Sequence, residues 1–70
     1  MNTRILKKLG QKLKFYRKNA DFTQEYLAEQ VGVHPTYIGK LESGKNNPSF
    51  MLLYKMSNAL SISLKELLDL

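Results

Sequence analysis

Thr23 to Ser43, TQEYLAEQVGVHPTYIGKLES, decides the fold of this chain, because it reads as two short helices joined by a tight turn at Gly32. From Gln24 onward, Leu27, Ala28 and Val31 fall three and four residues apart, the spacing of one helix face. Gly32 follows the last of them, where a helix end needs the left-handed backbone that glycine adopts without steric cost. Val33 is apolar inside the turn. Ile38 and Leu41 are again three apart, and Pro35 stands where a first helical turn tolerates a missing N–H. The second helix is therefore expected over Pro35 to Ser43. Ala28 is small at a point where a bulky side chain would hold two crossing helices apart. The stretch reads as helix, turn, helix, with the first helix bracing and the second presenting its outer face.

Other positions keep register with this motif: Arg17 ahead of it, the Thr23-Gln24 pair, Leu27-Ala28, Gly32, Ile38, Glu42 with Gly44, Pro48-Ser49, Ala59-Leu60 and Leu67-Leu68. On these residues the chain resembles the Cro and lambda-repressor-like helix-turn-helix family, also called the XRE family, from Leu9 to Leu68. The resemblance implies an all-α, compact five-helix lambda-repressor-like domain whose helices 2 and 3 form the helix-turn-helix. It also implies a sequence-specific, double-stranded DNA-binding transcription regulator, expected as a repressor, bound as a homodimer to a pseudo-palindromic operator in a bacterial or phage setting. Family members with the pair matching Arg17 and Glu42 use it as a partly buried salt bridge that fixes the reading helix. A glutamine at the position of Gln24 binds phosphate in the family and supports that helix.

Seventy residues allow one small domain, expected over 1–70, which can bury only about 60% of its unfolded surface. No room is expected for a ligand-sensing domain, and no small-molecule ligand or cofactor is anticipated. Cysteine is absent, so disulfides and thiolate metal sites are excluded. The formal charge of +5 points to an anionic partner, nucleic acid or an acidic membrane surface. The first twenty residues hold seven of the eleven Lys and Arg and no acid, a pattern shared by membrane-surface helices and by helices with a solvated basic face. The longest apolar run, Phe50 to Tyr54, is five residues, far short of a membrane span. A cytoplasmic, nucleoid-associated protein without a membrane partner is expected.

Asn2 or Thr3 can cap a first helix running to Lys18, with Ile5, Leu6, Leu9, Leu13 and Tyr16 on one stripe. Phe15 points away from that stripe, either as an unremarkable exposed aromatic or as a contact for a partner. Phe22 returns to the core and Thr23 caps the next helix. Glu25 and Glu29 face solvent four residues apart, without the His or metal ligand that catalysis by paired carboxylates needs. His34 can cap the second motif helix, pack, or touch a phosphate. After a turn-forming segment, Gly44 to Pro48, Ser49 caps a helix over Phe50 to Leu60 with Phe50, Leu53, Met56 and Leu60 buried. Ser61 stands where the family usually has glycine, so that helix end carries mild strain or takes a different cap. Ser63 then caps a last helix, Leu64 to Leu68, with Leu67 and Leu68 inward.

With Ile38 and Leu41 inward, the outer face of the reading helix carries Thr36, Gly39, Lys40 and Ser43, flanked by Pro35 and Tyr37. A helix fits the major groove of B-DNA, and these six are the candidate base contacts. Thr36 can meet a thymine methyl and Lys40 can donate to guanine. Thr23 and Gln24, at a helix N-terminus, and Lys45, Asn46 and Asn47, in the following loop, are the candidate phosphate contacts. Leu52, Tyr54, Leu64 and Leu70 lack an obvious core role and are the candidate dimer surface. Two rivals remain in view: a protein-interaction module of the same fold, antitoxin-like or regulator-binding, and a membrane-surface peptide. An enzyme is not expected.

Overall fold

The computed structural model describes residues 3–70, so a cap at Asn2 lies outside the described residues. Five helices follow in order: α1 Thr3–Asn19, α2 Gln24–Val31, α3 Pro35–Glu42, α4 Phe50–Ala59 and α5 Leu64–Leu67. No strand occurs among the described residues. Helices 1, 3, 4 and 5 end within one residue of the positions expected from sequence, the ordinary uncertainty of a helix terminus.

Short polar residues start each helix after the first. The Thr23 hydroxyl accepts from the Tyr26 N–H, Ser49 from Leu52, and Ser63 from Glu66, whose own carboxylate reaches back to the Ser63 N–H. His34 takes the cap of α3 through Nδ1, which accepts from the Thr36 N–H at 3.1 Å. The first four helices also end alike. In each, a left-handed residue lets the following N–H reach back five positions: Phe22 to Arg17, Val33 to Ala28, Lys45 to Lys40, and Ile62 to Ser57. The left-handed residues are Asp21, Gly32, Gly44 and Ser61. Ser61, at φ 56°, therefore holds a conformation that costs a side chain energy, whereas Gly32 and Gly44 hold it freely.

The core joins Leu9 and Leu13 of α1, Leu27, Ala28 and Val31 of α2, Ile38 and Leu41 of α3, Leu52, Leu53 and Met56 of α4, and Leu60 and Leu67. Phe22, Tyr16 and Leu64 pack partly buried against it. Several side chains depart from expectation. Phe50 is 66% exposed and Leu52 is buried, the reverse of the stripe anticipated for α4. At about 100° per residue, a face centred on buried Met56 lies about 40° from Leu52 but about 120° from Phe50. Ile5 is exposed because α1 leans on α3, which turns its buried face towards Gly10 and Arg17. Leu68, the residue that ends α5, is exposed rather than packed inward. Leu52 and half-buried Leu64 thus have core roles, so neither is the unassigned apolar position that would mark a dimer surface, whereas Tyr54 and Leu70 stay exposed.

Candidate nucleic-acid interface

Helix α3 is held from two directions. Its inner side, Ile38 and Leu41, is sealed into the core against α2 and α1, and Gly32 at φ 76° closes the turn. Along α1, Arg17 and Glu42 form a bidentate pair, Nε to Oε2 at 2.5 Å and Nη2 to Oε1 at 3.1 Å. Both side chains are at least nine-tenths buried. The guanidinium donates a third bond to the Phe22 carbonyl at 2.7 Å, and Gln24 Nε2 donates to Glu42 Oε1 at 3.1 Å. The buried charge is thereby compensated on each side, the condition for tolerating an interior ion pair. No buried side-chain polar atom among the described residues lacks a hydrogen-bond partner.

Glu42 is the only acid in α3, and the pair turns it inward. The outer face then carries no negative charge. Thr36, Lys40 and Ser43 are exposed, while Pro35, Tyr37 and Gly39 are half-buried. The Gln24 amide lies over Gly39, where an added Cβ would stand 3.7 Å from it. Ser43 donates its hydroxyl to the Lys40 carbonyl at 3.1 Å, so it finishes α3 as well as facing outward. Thr23 is exposed at the start of α2 and its hydroxyl caps that helix. In the loop beyond α3, Lys45 and Asn47 are exposed and Asn46 half-buried.

Sequence reading missed one contributor. Gly10 faces the end of α3 so closely that a Cβ there would stand 2.5 Å from the Glu42 carbonyl oxygen and 2.7 Å from its carbon. Its only signal was a glycine interrupting a helix of long side chains. Glu25 and Glu29 are solvent-exposed, and no group of three or more His, Cys, Asp or Glu among the described residues could hold a metal. No helix among them is long and apolar enough to cross a membrane.

Two short helices locked across a left-handed turn, the second offering an acid-free outer face on a basic chain, define a helix-turn-helix module. The Helix-turn-helix family model matches residues 13–67. The chain belongs to the Cro/lambda-repressor-like (XRE) helix-turn-helix family of DNA-binding transcription regulators. It is 39% identical over 62 residues to the transcriptional regulator SinR of Bacillus subtilis, covering 87% of this chain and 56% of SinR. It is 43% identical over 61 residues to the control protein C.MunI of a Mycoplasma species, covering 86% of this chain and 82% of that protein. The restriction-modification controller C.AhdI from Aeromonas hydrophila matches with a TM-score of 0.86 at 33% identity, over 94% of this chain and 98% of that one. SinR in complex with DNA matches with a TM-score of 0.81 at 39% identity, over 87% and 98%.

Proposed function

We propose that this chain represses transcription by occupying a pseudo-palindromic operator as a homodimer, with residues 35–43 in the major groove of double-stranded DNA. The observation that carries this reading is the orientation of α3: Arg17, Gln24 and Gly10 fix its inner side, and its only acid is turned away from the outer face. Thr36 and Lys40 then read bases, with Pro35, Tyr37, Gly39 and Ser43 lining the approach. Thr23, Gln24, Lys45, Asn46 and Asn47 hold phosphates on either side, and these contacts supply the salt-sensitive part of the affinity. Such a protein works in the cytoplasm, at the nucleoid.

A module of this size reads few base pairs, so two copies are needed to select a site. With Leu52 and Leu64 in the core, the dimer surface is better sought on the outer face of α4. Phe50, Met51 and Tyr54 are 66%, 61% and 48% exposed there. The three form an apolar patch with exposed Lys55 at its border, so two copies can meet on its apolar centre with that lysine at the rim.

Selection of bound duplexes from a randomised pool at near-physiological salt tests the reading. The expected product is an inverted repeat with half-sites about 34 to 36 Å apart, one helical turn. Lys45→Ala is expected to weaken all sequences alike, whereas Lys40→Ala also relaxes preference at particular bases. Retention without an enriched motif would overturn sequence-specific reading, and equal losses on specific and random duplexes would overturn the division of roles.

A further inference from the structure

The DNA reading leaves Phe15 without a role. It is 57% exposed, yet its ring is not loose: it meets the half-buried Tyr16 ring edge-on, with centroids 5.3 Å apart. Phe15 lines a cleft of about 480 Å³ with Leu70, itself 42% exposed, and with Lys8, Gln11, Lys12 and Asp69. Lys12 is steadied in turn over the Tyr16 ring, 5.8 Å from its centroid. A second cleft, lined by Thr3, Arg4, Lys7, Lys8 and Gln11, shares two residues with the first and adds cations to the same side of α1. The result is a held apolar floor bordered by lysines.

The position is separate from the reading helix. At about 100° per residue, Phe15 and Lys8 lie roughly 150 to 170° around α1 from the side that carries Gly10 and Arg17. From Arg4 to Phe15 the face runs about 16 Å along the axis, the length of three helical turns.

Charge decides the occupant. α1 carries seven Lys and Arg and no acid, and only Arg17 of the seven is buried. A second copy docking symmetrically here would set this lysine-bordered face against an identical one. DNA would satisfy the lysines but leave Phe15 and Leu70 unused. A membrane surface needs a broad apolar face, and the apolar stripe of α1, Leu6, Leu9 and Leu13, is turned into the core. We infer that the outer face of α1 docks an acidic amphipathic helix of another protein, its apolar anchor seated between Phe15 and Leu70 and its carboxylates on Lys8 and Lys12. Anchors at helical spacing flanked by charge are the ordinary form of helix-in-groove recognition. Asp69, the one acidic side chain lining the cleft, would repel carboxylates from the carboxyl-terminal end and leave them to the lysine side.

The test uses the full chain, isotopically labelled, and a synthetic helical peptide of about 16 residues with leucines at i, i+3, i+4 and i+7, three or four glutamates flanking them and alanines elsewhere. A scrambled peptide of equal composition and phosphatidylglycerol vesicles serve as the other arms. The expected result is amide shifts at Lys8, Lys12, Phe15 and Leu70 with the patterned peptide, unchanged when duplex DNA is bound. Phe15→Ala is expected to weaken the peptide about tenfold or more and to leave DNA affinity unchanged, as an exposed side chain outside the reading face should. Equal binding of the scrambled peptide, shifts centred on α3 or on Phe50 and Met51, a stronger response to vesicles, or no peptide binding would each overturn the inference. DNA binding is measured separately, so either reading can fail without the other.

Discussion

α3 is gripped on one side by a turn and on the other by a seam, and each contains a glycine for the opposite reason. At the turn, Gly32 has φ 76° and open space around it, since an added Cβ would meet nothing within 4 Å. At the seam, Gly10 has ordinary helical geometry and no space at all. One glycine is there for its backbone and the other for its missing side chain. The turn joins two apolar faces, which pack without much directional preference. The seam joins a bidentate ion pair and a backbone contact, which tolerate few relative orientations of α1 and α3. Stability should therefore be spread over both, while the aim of the outer face of α3 should depend mostly on the seam.

The largest expected effect breaks the seam. Glu42→Ala leaves the buried Arg17 guanidinium with only its bond to the Phe22 carbonyl, and removing one partner of such a pair costs about 3 to 5 kcal/mol. A domain of this length has roughly 4 to 10 kcal/mol in total, so the melting temperature should fall steeply. Exposed Glu29→Ala should hardly move it, and equal shifts would show that the pair is not doing structural duty. Replacing both partners by apolar side chains of similar length, Arg17→Met together with Glu42→Leu, should recover most of the stability, because apolar pairs often match buried ion pairs. DNA affinity should stay low in that double variant. Recovery of both would mean that any filled seam aims α3 well enough.

Gly10→Ala comes next. Helix propensity favours the alanine by about 1 kcal/mol. The Cβ, however, would stand 2.5 Å from a carbonyl oxygen of α3, backbone that cannot rotate aside. Overpacking of that kind costs about 1 to 3 kcal/mol, so the clash should win and the variant should melt lower. Because relief comes by sliding α3 off α1, affinity for the selected operator should drop more than affinity for random duplex. A more stable Gly10→Ala protein would show slack in the seam.

The same contrast explains what the sequence made legible. Helix number, the turn at Gly32 and the facing of α2 and α3 follow from periodicity and capping, both local properties of the chain. The Arg17–Glu42 pair spans twenty-five positions, and only family resemblance brought the two residues together. Gly10 stood out only as a glycine inside a helix, because its meaning depends on what lies opposite. The exchange of Phe50 and Leu52 is different: the two lie about 160° apart around α4, and the helical period measured from buried Met56 already favours Leu52 as the covered one. At Ser61 the sequence left two helix ends open, a mildly strained one or a different cap, and the left-handed φ of 56° is the strained one.

The effect at the turn is of similar size to that at Gly10, and it sharpens the contrast most cleanly. Gly32→Ala adds a methyl group to open space, so no packing term enters. What remains is the left-handed backbone, which costs a residue with a Cβ about 1 to 2 kcal/mol. Asparagine enters that region more readily, so Gly32→Asn should lose less than Gly32→Ala although it is larger. At Gly10 the order should reverse, with size deciding and alanine tolerated better than asparagine. Thermal melts of these four variants separate the two causes. If asparagine were worse than alanine at both positions, space would limit the turn as well, and the division between a conformational glycine and a steric one would collapse.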